Sequence, residues 1–209
     1  MTQKAAKRDA EATRERILKV GIKEFCATGY SGSRIQKIAT KSNCNIRMIY
    51  HYFGSKEGLY LAALERVYGG IRENEAKLGF FELEPMAAIR TLVEFTFDHH
   101  QNNREFVDLV VVENVQDGRY LKKVKNLPKE SNLLIEGIAR VLEAGGKQGV
   151  LRKDVDPFQF YVSVLSLSFF HLSNASTLSI MYQRKVNDKD WIAERRAHVI
   201  DMVLGFLRP

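Results

Sequence analysis

Arg47 and His51 stand four residues apart in the segment Asn45-Ile46-Arg47-Met48-Ile49-Tyr50-His51-Tyr52-Phe53. On a helix that spacing puts both on one face. Together they present a fork of guanidinium donors and a ring N–H. Tyr50, Tyr52 and Lys56 add hydroxyl and ammonium donors, and Arg34 and Lys37 place two more cations one turn apart. All of these groups suit an acceptor-rich polyanion. The 32 residues from Phe25 to Lys56 contain no Asp or Glu, residues 1–68 carry 13 Lys/Arg against 6 Asp/Glu, and residues 69–209 carry 19 of each. The formal excess of +7, with a pI near 9.4, therefore resides in the first third of the chain. Charge confined in this way reads as a phosphate-binding footprint with a neutral domain behind it.

Other chemistries find less support. There is no nucleophile elbow, zinc-binding helix or dinucleotide loop, and Gly145-Gly146-Lys147 lacks the upstream glycine and strand of a phosphate loop. Adjacent histidines on a helix point about 100° apart, so His99 and His100 cannot chelate one metal together. We therefore expect no catalytic site, no metal and no cofactor. Cys26 and Cys44 are the only cysteines and read as thiols. The longest apolar segment, 158–182, is interrupted by Gln159, Ser163, Ser166, Ser168, His171, Ser173 and Asn174. It reads as a helix covered by the domain and by a second copy, with no membrane partner and a cytoplasmic location.

The elements that must position these groups are helical throughout. Three of the four prolines, Pro85, Pro128 and Pro157, sit where a helix can begin. A first helix is expected over 13–28, with Ile17, Leu18, Gly21, Ile22 and Phe25 facing inward and Gly29 ending it. Ser33 is expected to cap a short helix through Thr40, Asn43 to turn the chain, and Asn45 to cap a second short helix to about Tyr52. After Gly54-Ser55 a long helix runs to about Leu78. Further helices are expected over 85–102, 104–116, 118–125, 129–145, 157–182 and 189–207. This is an all-α protein containing a helix-turn-helix, whose second helix reads the major groove. Within it Arg47 is expected to bond a base, while Ser33, Arg34, Lys37, Asn45, Tyr50, His51, Tyr52 and Lys56 serve the backbone or the scaffold. Residues 1–12, with Lys4, Lys7 and Arg8, form a basic flexible arm.

Gly29-Tyr30, Ser33-Arg34-Ile35-Gln36-Lys37-Ile38-Ala39 and Tyr50-His51-Tyr52-Phe53-Gly54-Ser55-Lys56-Glu57-Gly58-Leu59 resemble the signature of the TetR family of regulators, over about Arg14 to Leu64. The resemblance implies a DNA-binding domain at 13–58 and an effector-binding, dimerising domain at 59–209. It also implies a homodimer that binds a palindrome-like operator and is released by a small molecule. By the same resemblance Tyr50 and Lys56 fall on phosphate-contacting positions and Arg47 on a recognition-helix position. The chain departs from the family at Ser42-Asn43-Cys44-Asn45, where Ala-Gly-Val-Ser is usual, and at Gly21, where Ala is usual. Glu84-Pro85-Met86-Ala87-Ala88-Ile89, Gly149-Val150-Leu151 before Asp156-Pro157, and the ending Gly205-Phe206-Leu207-Arg208-Pro209 are similar, more weakly, to the branch with pyrimidine-responsive regulators. These cues do not carry a ligand with them.

Candidate effector contacts are Phe97, Glu113, Asn114, Phe170, His171 and Asn174. His171, with Ser168 and Asn174, forms a polar break in an apolar helix, and reads either as a core histidine or as a ligand contact. Glu113 or Asn114 faces inward, to meet either an effector or an Arg or Tyr partner. Phe97, Phe170 and Trp191 line a flat cavity or fill the core. The dimer is expected to form through Val164 and Leu167 on one helix and Ile192, Val199, Met202, Val203 and Phe206 on the last. The alternative function is a dimeric helical adaptor whose basic face binds nucleic acid or protein without sequence choice.

Overall fold

In the computed structural model, which describes residues 3–209, all regular structure is helical. The first helix, α1 (Gln3–Gly32), is interrupted by Gly29, whose φ of 66° breaks the helical run where the sequence places its end. Its start differs from expectation. Residues 3–12, expected as an arm, are helical, because Ala5, Ala6, Ala10 and Ala12 lie among Lys, Arg and Glu with no glycine or proline to stop propagation. The side chains of Lys4 and Lys7 lie outside the described ones.

Then come α2 (Ile35–Lys41), α3 (Ile46–Phe53) and α4 (Lys56–Lys77). After a 3-10 turn at Phe80–Glu82 follow α5 (Pro85–Asn102), α6 (Arg104–Val115), α7 (Leu127–Gln148), α8 (Pro157–Ser173), α9 (Ala175–Tyr182) and α10 (Lys189–Phe206). Each of the three helix-starting prolines occupies the first turn of its helix.

Three expected elements are corrected. The 118–125 helix is only a 3-10 turn at Leu121–Lys123, preceded by Asp117 and Gly118 in left-handed conformations. The helix placed over 129–145 starts at Leu127 and passes Gly145 and Gly146, stopping at Gly149 (φ 71°), where a left-handed cap is available. The single 157–182 helix bends by 68° at Asn174, whose amide donates to the Phe170 carbonyl and to the Ser173 hydroxyl. No single helix among the described residues is long and apolar enough to cross a membrane, although the bent pair α8 and α9 passes together on length and composition.

The chain divides into two compact units: the chain up to Gly70 with Asp108–Lys125, and Ile71–Val107 with Asn126–Pro209. The expected boundary at 58/59 thus falls short. Leu59, Tyr60, Ala63 and Leu64, on the first turns of α4, are fully buried in the first unit with Ile17, Phe25, Ile38 and Ile49. Tyr60 lies edge-on to Phe25 (4.8 Å) and to Tyr120 (5.1 Å), which brings residues after α6 into the same body. In the second unit α5 packs against α7, α8 and α10, and Ile89, Leu92, Phe97, Ile138, Val164 and Val199 are all but fully excluded from water.

Candidate nucleic-acid interface and ligand-binding residues

The turn between α2 and α3 is held by main-chain geometry. Asn43 takes the left-handed conformation (φ 47°), the Cys44 N–H donates to the Ala39 carbonyl (3.0 Å), and the Ser42 hydroxyl donates to the Ile38 carbonyl (2.7 Å). Arg16 of α1 donates its Nε–H to the Ser42 carbonyl (2.8 Å), which ties the turn to the first helix. The Asn45 side chain accepts from the Arg47 N–H (2.9 Å) and caps α3. Ser33 does not cap α2. Arg34 occupies that position without a side-chain bond, and the Ser33 hydroxyl is turned inward to the Tyr30 carbonyl (2.7 Å). At the far end of α3 Gly54 adopts φ 72°, and a Cβ on Gly58 would stand 1.9 Å from the Phe53 carbonyl oxygen. The exit from α3 into α4 therefore requires a glycine at 58.

With Ile49 fully buried beneath it, α3 exposes Arg47, Tyr50 and His51, at i, i+3 and i+4. Tyr52 is half-buried, its ring 5.2 Å from that of His51. Arg34 is exposed at the entry to α2. Among the described residues, neither Arg34 nor Arg47 is drawn into an ion pair. The other expected cations are committed elsewhere. Glu24, just upstream of the acid-free stretch and with its side chain buried, binds Lys37 at 2.7 Å and Lys41 at 3.1 Å. Burial alone would push its carboxyl up, but the two ammonium groups hold it below the usual carboxylate range. Lys56 donates to the Ser33 carbonyl (2.6 Å) and lies 4.7 Å over the Tyr30 ring, so the ammonium expected on a phosphate joins α4 to the entry of α2. Burial lowers its pKa.

The expected effector contacts do not form one site. Glu113, buried in the first unit, accepts the Tyr60 hydroxyl (2.7 Å) and the N–H groups of Tyr120 (3.1 Å) and Leu121 (2.8 Å). The tyrosine pairing left open by the sequence is the one that occurs, and it removes Glu113 from the effector contacts. Asn114 points to solvent and donates to its own helix at Val110. Phe170 is 55% exposed and cannot line a closed cavity, and Asn174 ends α8. Phe97 and His171 do meet, their rings 5.2 Å apart and within 12° of parallel.

The structure joins to that pair Trp191, already a candidate wall, and adds His100, Phe106 and Phe169. The His100 ring lies 5.3 Å from Phe106, almost parallel, and 5.8 Å from Phe169, while Trp191 stands 5.7 Å from His171. Burial drives both His100 and His171 down to a pKa of about 4, so both are neutral at physiological pH. His99 is also lowered by burial. The missed signal was spacing on α5, where His100 and Phe97 share a face as the expected pair Ser168 and His171 do on α8.

The expected dimer residues also separate. Val164, Val199 and Val203 are buried in their own protomer, because α8 and α10 turn those faces toward α5. Leu167 and Ile192 pack partly against the same core. Met202 (48%) and Phe206 (52%) are exposed, together with Phe158, Val162 and Phe170, which follow one face of α8 and are not among the expected dimer residues. Val162, Met202 and Phe206 line a groove of about 530 Å³.

Residues 17–63 match the family described as bacterial regulatory proteins, tetR family, and residues 85–203 match the tetracyclin repressor-like C-terminal domain. The transcriptional repressor NicS of Pseudomonas putida is 36% identical over 199 residues, 95% of this chain and 94% of that one. The regulator RutR of Escherichia coli K12 is 30% identical over 116 residues, 51% of this chain and 54% of its own. The ketosteroid regulator KstR2 of Mycobacterium tuberculosis superposes with a TM-score of 0.72, covering 94% of this chain and 95% of that one, at 15% identity, a likeness of fold alone. The hemolysin II regulator HlyIIR superposes with a TM-score of 0.64 at 27% identity, covering 92% of this chain and 99% of that one.

Proposed function

Because the chain belongs to the TetR family of transcriptional regulators and is not an enzyme, we propose that it is a repressor which binds a palindrome-like operator as a homodimer and lets go when a small molecule occupies its second unit. The observation that carries this reading is the stripe Arg47, Tyr50 and His51, exposed on a short helix whose cap, turn and exit are all fixed from beneath. Arg47 reads a base in the major groove, and Tyr50, His51 and Arg34 donate to phosphates. Lys37 and Lys56 set the scaffold that holds them.

The partner copy fits the exposed apolar residues of α8 and α10: Phe158, Val162, Phe170, Met202 and Phe206. Single exposed apolar side chains are ordinary, but five on two neighbouring helices favour an interface. A symmetric pair of reading helices demands half-sites about one helical turn apart. Effector binding shifts the population toward a dimer whose spacing no longer matches two successive grooves. Such a protein works in the cytoplasm.

Selection of bound duplexes from a random pool tests the reading. An inverted repeat, with affinity falling steeply as salt rises, is the expected result. Equal affinity for all duplexes at every salt concentration would leave the adaptor without sequence choice as the better description.

A further inference from the structure

The second unit buries polar atoms that nothing satisfies: Nδ1 and Nε2 of His171, the Ser168 hydroxyl, and the Nε of Arg195. The Ser168 main chain approaches His100, yet no well-aligned hydrogen bond reaches either of its ring nitrogens. Ser168 and His100 are fully buried and His171 is 3% exposed. Leaving such groups unpaired in a protein interior is costly, and each needs an explanation. Arg195 is the unusual member. Its neighbour Arg196 forks onto Asp98 at 2.8 and 2.9 Å, whereas Arg195 has only the Leu167 carbonyl (3.1 Å) and no carboxylate within ion-pairing distance among the described residues. Arg195 is only partly buried, but its Nε is closed off from water without an acceptor, and a guanidinium that keeps its charge with no carboxylate beside it is a ready partner for an anion.

The walls are flat. Phe97 lies within 12° of parallel to His171, Phe106 within 10° of His100, and Phe169 and Trp191 close the edges. We propose that His100, Ser168, His171 and Arg195 form the effector site and that it takes a small aromatic carboxylate carrying a second polar group. This rests on the reading of the chain as an effector-released regulator. The carboxylate pairs with Arg195, the ring slides between Phe97 and His171 and parts them, and the polar substituent meets Ser168 or an imidazole. A neutral imidazole offers one donor and one acceptor, so two of them accommodate a hydroxyl in either sense.

Trp191, the only tryptophan of the chain, reports occupancy. The full-length protein is titrated with 4-hydroxybenzoate, with 4-hydroxybenzamide as its uncharged counterpart, and with cyclohexanecarboxylate as an anion that is not flat. The benzoate should change the emission saturably and raise Tm, binding at least about tenfold more tightly than either of the others. Arg195→Gln should remove the preference for the charged ring, and Arg195→Lys should restore much of it. If Arg195→Gln does not fold, the three-ligand comparison on the wild-type chain decides alone. Equal binding of benzoate and benzamide, or no saturable change with the benzoate up to about 10 mM, overturns the assignment. Operator binding is measured separately. Failure of specific DNA binding while the benzoate still binds would remove the regulator reading and leave the site. Operator release only by uncharged compounds, unaltered by Arg195→Gln, would remove the site and leave the regulator.

Discussion

The two units treat buried polar groups in opposite ways. In the first, Glu24, Ser33, Ser42 and Glu113 are all buried, and each is satisfied by a named partner. In the second, Glu75 and Thr96 are satisfied, the former by Arg72 (2.6 Å) and the Tyr161 hydroxyl (3.0 Å), but His99, His100, Ser168 and His171 keep atoms without partners. A closed polar network fixes one conformation, while an open one lowers its free energy when something arrives to close it. The first unit must hold a helix at a set angle whether or not DNA is present. On the reading proposed above the second changes when an effector binds, and its unsatisfied groups are where that change would begin.

The largest effect that separates the units is expected at Glu113. Glu113→Ala strands the Tyr60 hydroxyl and two main-chain N–H groups together, and should cost about 3–5 kcal/mol, read as a shift in the denaturant midpoint. His171→Phe, which removes two unpaired atoms at nearly constant shape, should cost less than about 1 kcal/mol. Comparable losses from both variants would mean that His171 is satisfied after all, and the contrast between the units would collapse.

Acid provides the next largest effect. His100 and His171 take up a proton near pH 6.5 when unfolded and only near 4 when folded, because burial opposes the charge. Between those values unfolding draws in protons, so stability falls as pH drops from about 6.5 toward 4, by about 2–3 kcal/mol per ring at full extent. Glu24 works in the same direction but in a lower window: its carboxyl is held below 4.5, so its contribution fades only beneath that value. Melting curves across pH 5–6.5 read the three buried histidines, His99 included, against an opposite contribution from Glu75, whose carboxyl burial pushes up, and His171→Phe should flatten about a third of the slope. An unchanged slope would place the titration elsewhere.

What could be read from the sequence divides along the same line. The Asn43 turn, the Asn45 cap, the break at Gly29 and the inward Ile35, Ile38 and Ile49 follow from local preference and period, which neighbouring residues determine. The errors arose where a distant residue decides. Lys37 looks free until Glu24, 13 positions earlier in the sequence, reaches it, and Lys56 looks free until the chain folds it onto Ser33. Glu113 stays open between an effector and a tyrosine in the sequence because its partner, Tyr60, is 53 residues away. Val164, Val199 and Val203 were placed at the dimer face because an apolar helix does not reveal which side its own core takes.

Arg47 sharpens the contrast by separating function from stability. It is exposed and makes no ion pair among the described residues, so Arg47→Ala should leave Tm within about a degree and cost about 1–3 kcal/mol of discrimination at one operator position. Competition between the selected operator and its single-base variants measures this. A uniform loss across all sequences would make Arg47 a phosphate contact and pass the base-reading role to Tyr50 or His51.

The smallest expected effect tests how tightly the first unit is packed. Gly21 lies inside α1, where alanine gains about 1 kcal/mol of helix preference. A Cβ there would meet three Leu59 side-chain atoms at 3.3 Å, slightly inside ordinary contact, and Leu59 is itself fully buried. Leu59 has to yield by a few tenths of an ångström, which uses up much of the gain, so Gly21→Ala should stabilise by less than about 0.5 kcal/mol in thermal or denaturant melts. A gain of the full 1 kcal/mol would show slack between α1 and α4. A loss of more than about 1 kcal/mol would show that Leu59 is held on every side and that glycine is needed where these two helices meet.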